Sequence, residues 1–98
     1  MKIIKQQNGE NLEIALDGRL DTMTAPELEK ELSESLDSAE TLTLDFANLA
    51  YISSAGLRVL LSAHKAMSKK GGMKIKNANE VVKDVFDVTG FSDILNIE

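Results

Sequence analysis

Residues 54–70 constrain this chain more than any other stretch. Wound at 100° per residue, they leave one narrow polar stripe of Arg58, Ser62, Lys65 and Lys69. Leu57, Leu60, Leu61, Ala63, His64 and Met67 cover most of the remaining circumference. A helix so apolar around its girth must be largely buried, the central one of its domain. Each large apolar side chain taken fully out of water contributes about 1.5–3 kcal/mol. The helix should begin near Ser53 or Ser54, and Gly71-Gly72 should supply its C-cap.

The segments around it follow a different period. In residues 11–17, Leu12, Ile14 and Leu16 alternate with Glu13, Ala15 and Asp17, as a half-buried strand requires. Asn8-Gly9 suits a type I′ turn, so strands near 2–7 and 11–17 are expected to form a hairpin. A first helix is expected from about residue 25. Thr24 and Glu27 have capping-box spacing, Pro26 sits in the first turn, and Leu28, Leu32 and Leu36 recur every fourth residue. Residues 41–46 alternate with Leu42, Leu44 and Phe46 inward, and 73–77 read as another strand. A helix from about Asn79 carries Val81, Val82, Val85 and Phe86, and a short helical turn around 91–95 closes the chain. The order is β-β-α-β-α-β-α with a final short helix. Alternating strands leave one sheet face uncovered, so the helices should share the other. The expected fold is α/β: a mixed sheet with an N-terminal β-hairpin and helices mainly on one face, not a doubly wound sheet buried on both sides.

Composition narrows the function classes. The chain's 98 residues, 43% hydrophobic and 28% charged, suit a single domain over residues 1–98 with one modest core. No apolar run approaches the roughly 18 residues that span a bilayer. Residues 1–5 read straight into a strand, without a signal-peptide pattern. The absence of cysteine excludes disulfides and thiolate metal sites and fits a reducing cytoplasm. The formal charge is −5, with eleven acids over residues 10–45 against Arg19 and Lys30. Residues 58–76 carry Arg58, Lys65, Lys69, Lys70, Lys74 and Lys76 and no acid. That stretch reads as solvated lysines near a helix end or as a patch for an acidic partner, the first being commoner. An acidic chain is a poor match for nucleic acid.

Catalysis finds no constellation. His64, the single histidine, lies ten residues from Ser54 on one helix. That is about 15 Å along the axis, beyond the reach of a Ser–His pair. Its place on the apolar face suits a core histidine with one nitrogen satisfied. Lys69-Lys70-Gly71-Gly72 lacks P-loop spacing, and neither clustered histidines nor paired carboxylates suggest a metal or another cofactor. Tyr51 and Phe91 read either as an exposed contact patch or as caps on the core, the second being slightly favoured.

The informative segment is Tyr51-Ile52-Ser53-Ser54-Ala55-Gly56-Leu57-Arg58, where a strand leads into the apolar helix. Serine there is a favoured N-cap, and Gly56 either admits a close approach or relieves packing. The segment resembles the phosphorylation loop of anti-sigma factor antagonists of the STAS class, in which Asp-Ser-Ser/Thr-Gly-Leu opens the corresponding helix. Leu16-Asp17-Gly18-Arg19-Leu20-Asp21 is similar to that family's Gly-Glu-Leu-Asp segment, and Asp87-Val88-Thr89-Gly90-Phe91 to its C-terminal Thr-Gly-Leu/Phe segment. The resemblance implies Ser54 as phosphoacceptor, with Ser53 the lesser candidate, and partner contacts from Asp21, Thr22, Ser53, Gly56, Leu57 and Arg58. It implies an anti-sigma factor serine/threonine kinase as partner and a metal-dependent serine phosphatase that restores binding. Ser53 stands where the family usually has Asp, Ala55 where it has Ser or Thr, and Arg19 where it has Glu. The alternative within the same fold is a fixed accessory subunit of an ABC-type lipid-transport complex, never phosphorylated. Weak nucleotide binding at the same helix N-terminus ranks below both.

Overall fold

The structure, a computed structural model, covers residues 1–98. The alternating segments assemble into one five-stranded sheet in sequential order. β1 (Lys2–Asn8) and β2 (Asn11–Leu20) are antiparallel, and β3 (Thr41–Ile52), β4 (Met73–Lys76) and β5 (Asn96–Ile97) follow β2 in parallel. Three helices make the crossovers: α1 (Ala25–Ser35), α2 (Ser54–Met67) and α3 (Glu80–Thr89).

The two sheet faces have opposite chemistry. Leu12, Ile14, Leu16, Leu42, Leu44, Phe46, Met73 and Ile75 are buried, and join Leu28, Leu32, Leu60, Ala63, Met67, Val82 and Phe86 of the helices in one core. The Phe46 and Phe86 rings stack with centroids 6.5 Å apart, which seats α3 on the same side as its neighbours. The other face is tied by polar pairs. Thr41 Oγ1 donates to Asn11 Oδ1 at 2.7 Å, Asn77 Nδ2 to Asp45 Oδ1 at 3.0 Å, and Lys76 Nζ meets Glu13 Oε1 at 2.9 Å. The mixed sheet with helices on one face is the architecture that the alternation implied.

Several local expectations are corrected. The hairpin turn is Gly9-Glu10, because Asn8 pairs with Asn11. Gly9 has φ +63° and Glu10 a negative φ, so glycine leads as in a type II′ turn, not type I′. β2 and β3 run on to Leu20 and Ile52, through register shifts at Ala15/Asp17 and Gly18/Arg19. Those bulges break the two-residue period, which is why alternation alone stopped at Asp17 and Phe46. No capping box forms at α1, since Thr24 makes no side-chain cap. α2 ends at Met67, and a turn carries the chain to Gly72 at φ +96°. The helix buries Gly56, Leu57, Val59, Leu60, Ala63 and Met67, while Leu61 and His64 are only half-buried and Ala66 is exposed. α2 is thus less enclosed than its apolar girth suggested. On α3 only Val82 and Phe86 are buried, and Val81 is 52% exposed. The last helical turn is a 3₁₀ turn at Phe91–Asp93, followed by β5, too short for any period to announce. No helix is long and apolar enough to cross a membrane.

Candidate functional site

β2 and β3 end side by side. Leu20 pairs with Ile52, and the Ser53 N–H donates to the Leu20 carbonyl at 2.9 Å. The chain leaves β2 through residues 21–24 and leaves β3 straight into α2. Asp21 and Thr22 therefore share one rim with Ser53 and Ser54.

The first half of the rim is held by its own side chains. Asp21 Oδ1 accepts the backbone N–H of Met23 at 3.0 Å and of Thr24 at 3.1 Å. Thr24 Oγ1 accepts the Asp21 N–H at 2.9 Å and donates to the Arg19 carbonyl at 2.8 Å. With Thr24 engaged in this turn, its hydroxyl is not free to cap α1. The Thr24 N–H holds the Asp21 carboxyl below the usual carboxylate range; partial burial opposes it, and the Met23 N–H, the Thr24 hydroxyl and the Arg19 charge assist. The carboxylate is thus spent on its own loop. Met23 beside it is 84% exposed. Sequence reasoning gives Met23 no role; its sole cue is a large apolar residue inside a polar turn.

The second half separates the two serines. Ser53 is the N-cap of α2 by backbone angle (φ −104°, ψ 176°), yet its Oγ makes no cap and is buried without a partner. Ser54, the first helical residue, is exposed. Gly56 and Leu57 are buried and so support the rim from beneath instead of lining it. A Cβ on Gly56 would lie 2.7 Å from Leu20 Cγ and 2.9 Å from Ile52 Cγ1, which settles its role as relief of packing. Arg58 is exposed, and with Thr22, Ala25, Pro26, Glu29, Ala55 and Val59 it lines a groove of about 250 Å³ between α1 and α2. On the other flank, the Arg19 guanidinium lies 4.5 Å from the Tyr51 ring centroid and 3.9 Å from Asp21 Oδ2. Tyr51 therefore backs Arg19 instead of joining the core, while Phe91 packs partly buried against the core as expected.

The basic stretch does not form one patch. Lys70 Nζ donates to the carbonyls of Leu36 at 2.7 Å and Ala39 at 2.9 Å. Lys74 and Lys76 pair with Glu98 and Glu13 on the sheet. Arg58 and Lys65 remain on the wet stripe of α2, and Lys69 is exposed in the turn that follows it. His64 differs from the expected satisfied core histidine, because its Nδ1 is enclosed without a partner. It sits on the same helix as Ser54, ten residues on, so the two cannot meet. What the rim can do chemically is present a hydroxyl at a helix N-terminus, where free N–H groups and the helix dipole favour negative charge.

Comparison with known proteins now places this arrangement. The chain is 30% identical over 93 residues to the anti-sigma-B factor antagonist of Bacillus subtilis, spanning 94% of this chain and 85% of that one. It is 30% identical over 87 residues to the anti-sigma F factor antagonist of Paenibacillus polymyxa, spanning 86% and 74%. Its fold superposes on the crystal structure of an anti-sigma factor antagonist from Mycobacterium paratuberculosis with a TM-score of 0.87 at 20% identity, covering 98% of this chain and 83% of that one. A family model described as STAS domain matches residues 2–98. With sheet order, helix placement and sequence in agreement, the chain belongs to the STAS family, among its anti-sigma factor antagonists.

Proposed function

We propose that this chain relieves a sigma factor by docking its rim, Asp21–Thr22 with Ser54 and Arg58 over the buried Gly56 and Leu57, on an anti-sigma factor that is also a serine kinase, and that phosphorylation of Ser54 switches docking off. The observation that carries the reading is the division between adjacent serines: Ser54 is exposed on the first turn of α2, whereas the Ser53 Oγ is enclosed. A kinase reaches only the former without unfolding the helix start. The names of the Bacillus and Paenibacillus relatives support the antagonist role; in this reading a serine phosphatase in the same cytoplasm resets the switch.

The physics of the switch follows from position. A phosphoserine adds about −1.5 to −2 charge. At the α2 N-terminus that charge meets unsatisfied N–H groups, so the fold survives the modification. The Gly56–Leu57 packing beneath is untouched. Inhibition then arises at the docking surface, where a buried phosphate lacks a partner or faces a like charge.

The test pairs kinase assay with binding. Each serine kinase with an anti-sigma role from the source organism is incubated with ATP and the protein, and the modified residue is mapped by mass spectrometry. Phosphate on Ser54 is expected, with binding retained by Ser54→Ala and lost by Ser54→Asp. Equal binding of phosphorylated and unmodified protein overturns the reading.

A further inference from the structure

Arg58 stands four residues after Ser54 on α2, and both residues are exposed. On a helix that spacing puts two side chains on one face, about 5–6 Å apart at Cβ and within mutual reach. The guanidinium is uncommitted in the unmodified protein. None of the ion pairs of the fold uses it, although Glu29 lines the same groove. Two other cations come into question, and both are placed otherwise. Arg19, on β2, lies 3.9 Å from Asp21 Oδ2 and 4.5 Å from the Tyr51 ring centroid. Lys65, the next cation along α2, is eleven residues beyond Ser54, about 16 Å along the axis. Of the three, Arg58 alone is both near the acceptor hydroxyl and free to turn toward it.

The start of α2 leaves room for such a pairing. The Ser53 Oγ makes no cap, so the first-turn N–H groups lack that acceptor. Gly56 and Leu57, which lie between Ser54 and Arg58, are buried and keep the turn in place. A preformed helical turn thus carries a hydroxyl at one end and a cation at the other, and side-chain rotation alone joins them.

We propose that Arg58 is the intramolecular receptor for the phosphate on Ser54, so that the phosphorylated form is latched by a phosphoserine–arginine pair across the first turn of α2. The inference rests on the phosphorylation proposed above and deepens it. Arginine takes a phosphate through paired, charge-assisted hydrogen bonds. An anion at the helix start with a cation four residues on also agrees with the helix dipole. Glu29 on α1 and the ionised Asp21 on the rim oppose the phosphate with like charge, and the guanidinium offsets them. One modification then changes the rim twice: it adds charge at Ser54 and withdraws the free guanidinium of Arg58 from docking. A partner has either to break the latch or to bury it, and burying an ion pair carries a desolvation cost.

The probe is the full chain with phosphate installed on Ser54 by chemical synthesis, which needs no kinase. The second ionisation of that phosphate is followed by phosphorus NMR in wild type, Arg58→Gln and Arg58→Lys. It is expected at higher pH in Arg58→Gln than in wild type by about 0.3 unit or more at low salt, with Arg58→Lys between them and the difference shrinking at high salt. Phosphorylation should also raise the melting temperature more in wild type than in Arg58→Gln, a comparison that cancels any effect of Arg58 on the unmodified fold. An equal ionisation midpoint in wild type and Arg58→Gln overturns the latch, while the switch, read separately through binding of the kinase, still stands. If phosphorylated and unmodified wild-type protein bind that kinase equally, the switch falls, and the regulatory role of the latch is overturned with it even where the ionisation shift is present.

Discussion

Gly56 shows how a single missing Cβ sets the geometry of the rim. Leu20 is 0% and Ile52 1% exposed, so neither can yield when a methyl group arrives at 2.7 and 2.9 Å. Gly56→Ala gains up to about 1 kcal/mol of helix propensity but incurs an overpacking cost of about 1–3 kcal/mol. The clash wins, because the two neighbours are fixed by the ends of β2 and β3. The expected outcome is a net loss on the order of 1 kcal/mol or more in urea unfolding, with an unchanged m-value. From the sequence, Gly56 admits both a close approach and packing relief, and only the facing side chains choose between them. The two serines pose the same problem. Both are hydroxyls at a helix start, and the register of Ser53 against Leu20 decides which one is enclosed. His64 is a third case: helical periodicity placed it on the apolar face, but only the folded chain shows its Nδ1 enclosed without a partner.

Among the elements, α3 was read from Asn79 and its start is held there. Asn79 Oδ1 accepts the Val82 N–H at 2.8 Å, and its Nδ2 donates to the Leu49 carbonyl at 3.0 Å. One side chain thus caps the helix and ties it to the far half of β3. Asn79→Ala should destabilise by about 0.5–2 kcal/mol, read as a lower urea midpoint. Asn79→Asp should retain the cap and lose only the tie to Leu49, falling between wild type and the alanine variant. A midpoint for Asn79→Ala equal to that of wild type would count against this role. α1 behaves differently although its sequence signal was at least as strong. Thr24 and Glu27 have the right spacing, but the Asp21 turn recruits the threonine first. Local spacing names the donors and acceptors available; competition among them is resolved by the chain that precedes the helix. The bulged extensions of β2 and β3 escaped for a related reason. Once the register slips, alternate residues no longer share a face.

The whole molecule is an acidic chain with an ordered polar sheet face, and its pH response follows from that face and the rim. Asp21 is held below the usual carboxylate range by the Thr24 N–H and its helpers. Burial alone would raise Asp45, but the Asn77 side chain, the Ala47 N–H and Lys76 outweigh it, and it too is lowered. Such groups stabilise the fold above the unfolded carboxyl pKa and cease to do so as pH falls through the folded value. Lys76 is raised, chiefly by its hydrogen bond to Glu13 and by the charge of that carboxylate. Its contribution is present below the unfolded lysine pKa and lost as pH rises through the folded one. Melting temperature should therefore be flat across neutral pH and fall on both sides. Asp45→Asn should shallow the acid limb and Lys76→Met the alkaline limb, both effects shrinking in salt. An acid limb unchanged in Asp45→Asn would refute this assignment.

By itself the sequence determined the succession of strands and helices, the single covered sheet face and the position of the hydroxyl-bearing helix start. These follow from hydrophobic periodicity and turn chemistry, which act over a few residues and are written in consecutive letters. Only the tertiary structure decided which serine is exposed, that Gly56 serves packing, and that Thr24 serves the rim instead of α1. The two serines and Gly56 depend on atoms brought together from β2, β3 and α2, at separations that no local period encodes, whereas Thr24 is decided by a contest between nearby partners that spacing alone does not rank.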